Sequence, residues 1–433
     1  MSATQSHYSC QDDASINGHD MLEVTQVHPT DDKETETAEL GLYISGQDIP
    51  VPDGGYGWSY GVYLAYYLSH STFQGARPLD FALVGGLNFG VCLIVAPLVT
   101  VLVRRYNLKV PMLMGTVFLG GGFISASFAT QIWHLYLSQG ALVGLGLGFT
   151  WIPSIAILPQ WFSKRRSLAN GITSAGSGVG GLLFSLATGP MISNISLAWS
   201  LRIIGIITFV MNLIATLLAK DRNAIVRPNQ IGFDIELLRR MDVLLLLGWA
   251  FISMPGYMVL LYSLSDYALS IGLSQSQADH MTAFMNLGTA IGRPLIGALS
   301  DRLGRIEVAG SLTFFCSLWI FAVWIPSSSF AVTVLFSLVC GAIIGVFWPT
   351  IAPLSAEVAG LKEVPSLLSL AWLTVLMPTT FSEVAALYLR ELNSSRPYLH
   401  PQIFSGLSYF VASLFLLQLW RMKRKKAKSV SSE

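Results

Sequence analysis

The chain has 433 residues, of which 52% are hydrophobic and 12% charged, and its net charge is +1. A soluble fold of this length has no interior large enough for so much apolar side chain, whereas each membrane-spanning helix takes up roughly 20 apolar residues. Composition therefore excludes a soluble enzyme or a nucleic-acid binder and predicts an all-α polytopic membrane protein.

Residues 1–50 read as a disordered, acidic, cytosolic tail. Eleven acids lie within residues 1–53 against the single base Lys33, and large apolar side chains are too few there to offset the entropy of ordering. So acidic a start also argues against a cleavable signal peptide. Apolar spans follow near 56–69, 81–103, 110–130, 134–158, 167–193, 198–219, 243–264, 279–300, 308–326, 330–356, 364–389 and 402–420. The longest internal hydrophilic stretch, 220–242, separates two blocks of six. The expected plan is an N-terminal half over 51–219 with spans 1–6, a cytosolic linker over 220–242, a C-terminal half over 243–420 with spans 7–12, and a basic cytosolic tail over 421–433.

Basic residues set the orientation. Arg104, Arg105 and Lys109 follow span two, and Lys164, Arg165 and Arg166 follow span four. Lys220, Arg222, Arg227, Arg239 and Arg240 follow span six, Arg302 and Arg305 span eight, and Lys362 span ten. The alternate loops hold only Arg77, Arg202, Arg390 and Arg396. This positive-inside pattern places both termini and the linker in the cytosol. The basic run 421–428 reads as an anchor near anionic lipid. The plasma membrane is the expected location, with the vacuole or another organelle membrane as the alternative.

Little else suggests chemistry. Cys10, Cys92, Cys316 and Cys340 are isolated, so neither a metal site nor a disulfide framework is expected, and no cofactor is called for. His134 at a span boundary and His280 in a short outer loop have no serine or carboxylate at a telling spacing. The chain is not expected to be an enzyme.

Several motifs carry more. The run Gly297-Ala-Leu-Ser-Asp301-Arg302-Leu-Gly304-Arg305 closes span eight. There Asp301 is placed to sit at a helix end, with Arg302 and Arg305 pairing across the cytosolic face as a conformational latch. Glycines in spans four and five, among them Gly140, Gly144, Gly146, Gly148, Gly171, Gly176 and Gly178, read as close helix packing. Prolines in Trp151-Ile-Pro153, Pro255-Gly256-Tyr257 and Trp348-Pro349-Thr350-Ile-Ala-Pro353 break spans four, seven and ten, as suits helices that bend in a moving protein. Arg293 lies well inside span eight, where a guanidinium in a membrane is costly and faces a wet cavity or snorkels to the interface. Asn286, Thr289 and Arg293 are spaced i, i+3 and i+7, so they share one helical face. Of the intramembrane acids, Glu383 in span eleven is either the candidate coupling residue or an interfacial or helix-packing contact, and Glu357 reads as a helix contact at the cytosolic end of span ten.

Two blocks of six with a cytosolic linker and a G-x-x-x-D-R-x-G-R loop resemble the major facilitator superfamily. Two further motifs resemble signatures of its monocarboxylate transporter-like family. The first is Asp53-Gly54-Gly55-Tyr56-Gly57-Trp58 at the first span. The second is Trp161-Phe162-Ser-Lys164-Arg165-Arg166-Ser-Leu168-Ala169-Asn-Gly171 at the start of span five. The tone is that of the fungal branch. The resemblance implies a major facilitator fold of two six-helix halves that rock about a site near the bilayer midplane. It also implies that Arg293-Pro294 matches the family's helix-8 Arg-Pro, which pairs with a substrate anion. Asn286, Thr289 and Tyr257 complete the candidate substrate set. Two positions depart: Thr289 stands where proton-linked members carry aspartate, and no lysine occurs between Lys33 and Lys109. Whether protons are coupled therefore stays open. The expected partners are a small-molecule substrate and the lipid bilayer. The expected function is transport of a small organic solute, a monocarboxylate-like anion, by alternating access. Efflux of a secondary metabolite and a non-transporting sensor on the same fold are the alternatives.

The first span is short. Its sixteen residues, 54–69, make about 24 Å of helix against a hydrocarbon core of about 30 Å. Helix 1 thus reads as shortened, by an internal loss between Trp58 and Ser59 that comes from a splice junction or a genuine deletion.

Overall fold

The computed structural model describes Tyr67, Phe73 and residues 78–391 and 396–430, and the elements among them are all helical. The acidic tail, the signature residues Asp53, Gly54, Gly55 and Trp58, and with them the question of a shortened helix 1, lie outside the described residues. Eight helical runs among the described residues are long and apolar enough to cross a membrane. A ninth is the pair α1 (Pro78–Ile94) and α2 (Ala96–Tyr106), bent by 43°, with Pro97 in the first turn of α2.

The first half continues with α3 (Lys109–Ala126), α4 (Val143–Trp161), α5 (Arg166–Asn194) and α6 (Leu197–Leu218). The second comprises α7 (Met241–Ser270), α8 (Gln275–Leu303), α9 (Arg305–Trp319), α10 (Phe330–Ile344), α11 (Phe347–Ala359), α12 (Val364–Leu389) and α13 (Leu399–Val430). Within the first half α3 packs on α4 and α6; within the second, α13 packs on α7 and α9, and α10 on α8. The halves meet chiefly where α5 packs on α8 and α1 on α12, and α5 also touches α11 and α2 touches α12.

The spans expected over 167–193 and 279–300 are present as α5 and α8. Both are rich in glycine and hydroxyl residues, and they lie against each other. A Cβ on Gly171 would come within 2.4 Å of the Arg293 carbonyl oxygen, and one on Gly297 within 2.4 Å of that of Ser167. Gly178 faces Ala290. Gly288 and Gly292 give α8 the same backbone contact with Leu338 and Ala342 of α10. The remaining face of α8 shows Ile291, Leu295 and Leu299 exposed. In water such a surface would aggregate; against lipid tails it is at rest.

Several element ends differ from the hydropathy reading. A capping box in which the Gln277 N–H donates to Ser274 Oγ (3.4 Å) and the Ser274 N–H to Gln277 Oε1 (3.0 Å) starts α8 early. His280 therefore lies inside α8 and not in a loop. At the far end Gly304, at φ 107°, turns the chain directly from α8 into α9, a backbone conformation that favours glycine. The basic run after residue 420 is not an irregular tail, since α13 continues to Val430. Arg, Lys, Met and Ala are good helix formers, and Lys423 Nζ donates to the Glu357 and Val358 carbonyls (2.9 and 3.4 Å) near the end of α11.

The linker is partly ordered. Two short helical turns, Asn223–Val226 and Ile235–Leu238, flank a segment laid over the start of α12. There the Asn229 N–H donates to the Lys362 carbonyl (2.7 Å), the Ile231 N–H to Ser366 Oγ (3.0 Å), and Ser369 Oγ to the Gly232 carbonyl (2.6 Å). On its other side Gly232 lies so close to α2 that a Cβ would come within 2.6 Å of the Pro97 carbonyl oxygen. The linker thus touches both halves.

Candidate functional site

Four residues of α5, Asn170, Thr173, Ser174 and Ser177, fall at i, i+3, i+4 and i+7 and form a polar stripe on one face. That stripe borders a cavity of about 380 Å³. Leu93 of α1, Leu119 of α3, Trp151 and Ile155 of α4 and Asn212 of α6 line its other sides. The second half contributes Arg293 from α8 and Trp348 from α11. The cavity is therefore built mainly from the first half and completed across the seam by one cation and one indole.

Arg293 is 2% exposed. Its Nη1 donates to the Ser174 carbonyl (2.9 Å) and to Ser177 Oγ (2.7 Å), both on α5. These two bonds tie the cation to α5 across the seam. A guanidinium is a planar, delocalised cation. An anion in the cavity would gain from that charge in a medium far less screening than water.

The other residues that the sequence singles out are placed differently. Thr289 is buried, and its hydroxyl donates to the Met285 and Gly341 carbonyls (2.9 and 3.0 Å), which ties α8 to α10. Asn286 is buried and Tyr257 packs its ring against Trp348 at 6.4 Å; neither is among the residues that line the cavity. The i, i+3, i+7 spacing on α8 holds, but only its last member reaches the cavity. The side chain of Glu383 lies outside the described residues.

At the other end of the seam, Asp301 caps a helix of the opposite half. The Ser167 and Leu168 N–H groups at the start of α5 donate to its two carboxylate oxygens (3.0 and 2.8 Å). A carboxylate at a helix N-terminus satisfies orphan donors and the helix dipole together. Arg305 lies 3.5 Å from Asp301 and 3.6 Å from Glu357, and its Nε donates to Ser167 Oγ (3.2 Å). Arg302 does not join this cluster; it is exposed and forms no ion pair among the described residues. In the second signature, Lys164 and Arg165 are exposed, while Arg166 folds back so that its Nε donates to the Phe162 carbonyl (2.8 Å).

Sequence reasoning did not single out Asn170 or Trp348 as a pair, although each lies in a quoted motif. Pro353 has no N–H for the Pro349 carbonyl four residues before it. Asn170 Nδ2 donates there instead (2.8 Å), and to the Trp348 carbonyl (3.2 Å). An amide inside the span-five stripe opposite a proline-broken span ten is the signal that would have found it.

Comparison with known proteins places this arrangement. Residues 55–378 match the Major Facilitator Superfamily. The chain is 34% identical over 390 residues to the "Probable transporter MCH2" of Saccharomyces cerevisiae, covering 84% of this chain and 82% of that one. It is 24% identical to the "Agnestins efflux protein AgnL12" of Paecilomyces divaricatus, covering 85% and 83%. Its fold is similar to that of the E. coli fucose:proton symporter FucP, with a TM-score of 0.65 at 14% identity over 88% of this chain and 98% of that one.

Proposed function

The chain belongs to the Major Facilitator Superfamily and is a multi-pass membrane transporter, and from that premise we propose that it carries a small organic anion of monocarboxylate type by alternating access. One observation carries the reading: a guanidinium, 2% exposed, stands at a cavity on the seam between the halves. On α5 the Ser174 carbonyl and Ser177 Oγ accept from it. The two family-like signatures agree with the assignment. In the rocking cycle the Asp301 and Arg305 cluster would close the cytosolic face and open when the halves tilt. Protons are the candidate coupling ion and Glu383 the candidate coupling residue. Tyr257, Asn286 and Thr289 would then shape the walls behind the cavity and would not touch the substrate.

Counterflow in proteoliposomes tests this directly. Vesicles preloaded with unlabelled lactate or a larger carboxylate are expected to accumulate the labelled acid transiently. Binding without exchange would overturn transport in favour of a sensor. A second reading, export of a secondary metabolite, is favoured by the similarity to a protein named as an efflux protein. Exchange restricted to large metabolites would select it.

The positive-inside pattern supports a cytosolic position for both termini and the linker, with the plasma membrane as the proposed location. Cysteines introduced at Arg227 and Lys426 in a cysteine-free background are expected to resist an impermeant maleimide in intact cells. Labelling of either from outside would overturn this topology.

A further inference from the structure

Where the linker passes between α2 and α12, residues 230–235 alternate in burial. Gln230, Gly232 and Asp234 are buried, whereas Ile231, Phe233 and Ile235 are exposed. The polar side chains thus face the protein and the large apolar ones face out. Gln230 lines a small pocket with Thr100 of α2, Gln160 of α4 and Leu368 of α12. Asp234 Oδ1 accepts from the Glu236 and Leu237 N–H groups (3.0 and 3.4 Å) and caps the short turn that follows. A segment laid over a surface washed by water takes the opposite sense, apolar side in, because exposed apolar area is unfavourable there. An inverted pattern with a period of two is that of a chain whose outer face meets lipid.

Depth agrees with this. Gly232 is pressed against the Pro97 carbonyl on one side, and its own carbonyl accepts from Ser369 Oγ on the other. Pro97 lies seven residues before Arg104, and Ser369 seven residues after Lys362. Both basic residues are exposed, as suits the level of the lipid headgroups. At about 1.5 Å per helical residue, Gly232 stands roughly 10 Å inward of each, inside a hydrocarbon half-thickness of about 15 Å.

Irregular backbone is tolerated at such depth only where protein satisfies its polar groups. Two serines of α12 do so here. Ser366 Oγ accepts from the Ile231 N–H (3.0 Å) and donates to the Asn229 carbonyl (2.7 Å), and Ser369 Oγ serves Gly232. The outward edge also continues an apolar surface. Leu98 and Val101, just beyond Pro97 on α2, are exposed, and so are Met241 and Leu244 on the first turn of α7.

We propose that residues 231–235 form a lipid-facing strap, in which Ile231, Phe233 and Ile235 meet the acyl chains of the surrounding leaflet and the segment covers the seam between α2 and α12. The leaflet is the cytosolic one under the orientation proposed above. Contact with lipid depends neither on that orientation nor on the solute transported.

Nitroxide labels on the full chain in phosphatidylcholine nanodiscs test this. Single cysteines are placed as Ile231→Cys, Phe233→Cys or Ile235→Cys in a background without the four native cysteines. Arg227→Cys, exposed in the same linker, is the aqueous reference. Power saturation reads collisions with oxygen, which concentrates in lipid, and with a neutral nickel chelate, which stays in water. The ratio of oxygen to nickel collisions at Ile231→Cys and Phe233→Cys is expected to exceed that of the reference severalfold. All three labels stand on exposed positions; if Phe233→Cys does not fold, Ile231→Cys and Ile235→Cys carry the test, since the alternation predicts the same preference at both. A ratio equal to that of the reference would place the strap in water and overturn the proposal. Protection from both reagents would show that a second copy or another protein covers the edge, and would overturn lipid contact equally.

Discussion

Arg293→Ala is expected to reduce transport by two orders of magnitude or more while the protein still reaches the membrane. Removing one member of a buried, hydrogen-bonded charge pair costs about 2–5 kcal/mol, and here the member removed is the cavity's cation. The substitution also frees the Ser174 carbonyl and Ser177 Oγ from their donor. Those groups border a cavity where water can replace it, so abundance and melting temperature are expected to move little. Arg293→Lys is expected to recover only a small part of the flux. An ammonium keeps the charge but loses the planar, bidentate fork. Flux and surface abundance measured on the same cells check this. Near-normal flux in Arg293→Ala would reduce the residue to a tie between helices.

The second large effect is expected at Asp301. Its two oxygens accept from the Ser167 and Leu168 N–H groups of the opposite half, and Arg305 stands beside them. Each hydrogen bond to a charged group contributes about 1.5–3 kcal/mol, so Asp301→Asn is expected to shift the balance of conformations by tenfold or more away from the state described here. An amide cannot reproduce the arrangement, since it brings a donor toward two N–H donors. Ser300 is 1% exposed and adjacent in sequence. A cysteine placed there, with the native cysteines replaced, is expected to react with maleimide in membranes much faster in the Asp301→Asn background. Transport is expected to fall at least tenfold because one half of the cycle is no longer reset. Unchanged labelling would show that Asp301 does not hold the seam.

Much of the architecture was legible because lipid makes a simple demand. Every spanning segment must satisfy its own backbone, so apolar runs of sufficient length become helices whatever their neighbours. The predicted spans and the observed helices α3 to α13 coincide to within a few residues at most ends, with larger differences where π-helical turns adjoin the start of α4 and the end of α9 and where α7 and α13 run on past the apolar stretch. The ends that differ were set by other forces: the capping box at Ser274, the positive φ at Gly304, and the helical basic run whose Lys423 meets the carbonyls at the end of α11. Arg293 could be found because a charge in an apolar run is conspicuous. Its surroundings could not. Thr289 shares a face with Arg293, yet its hydroxyl is drawn to the Gly341 carbonyl by the close approach of α10. Likewise Arg302 and Arg305 look equivalent in the motif, and only the direction in which α9 leaves Gly304 decides which one meets Asp301. Such choices depend on where a second helix lies, and no spacing along one helix contains that.

The backbone contact between α5 and α8 has a consequence for how tolerance to substitution is interpreted. At Gly171 and Gly297 a methyl group would collide with the carbonyl of the facing helix, whereas at Gly176, on the same α5 and beside the cavity, nothing lies within 4 Å of such a group. Position by position, then, two glycines of this seam that do not line the cavity are strict, and one that lines it is permissive. Intolerance here records how closely two rods of backbone are laid together. A map of invariant positions drawn on this protein would outline its seam sharply and leave its cargo almost unmarked.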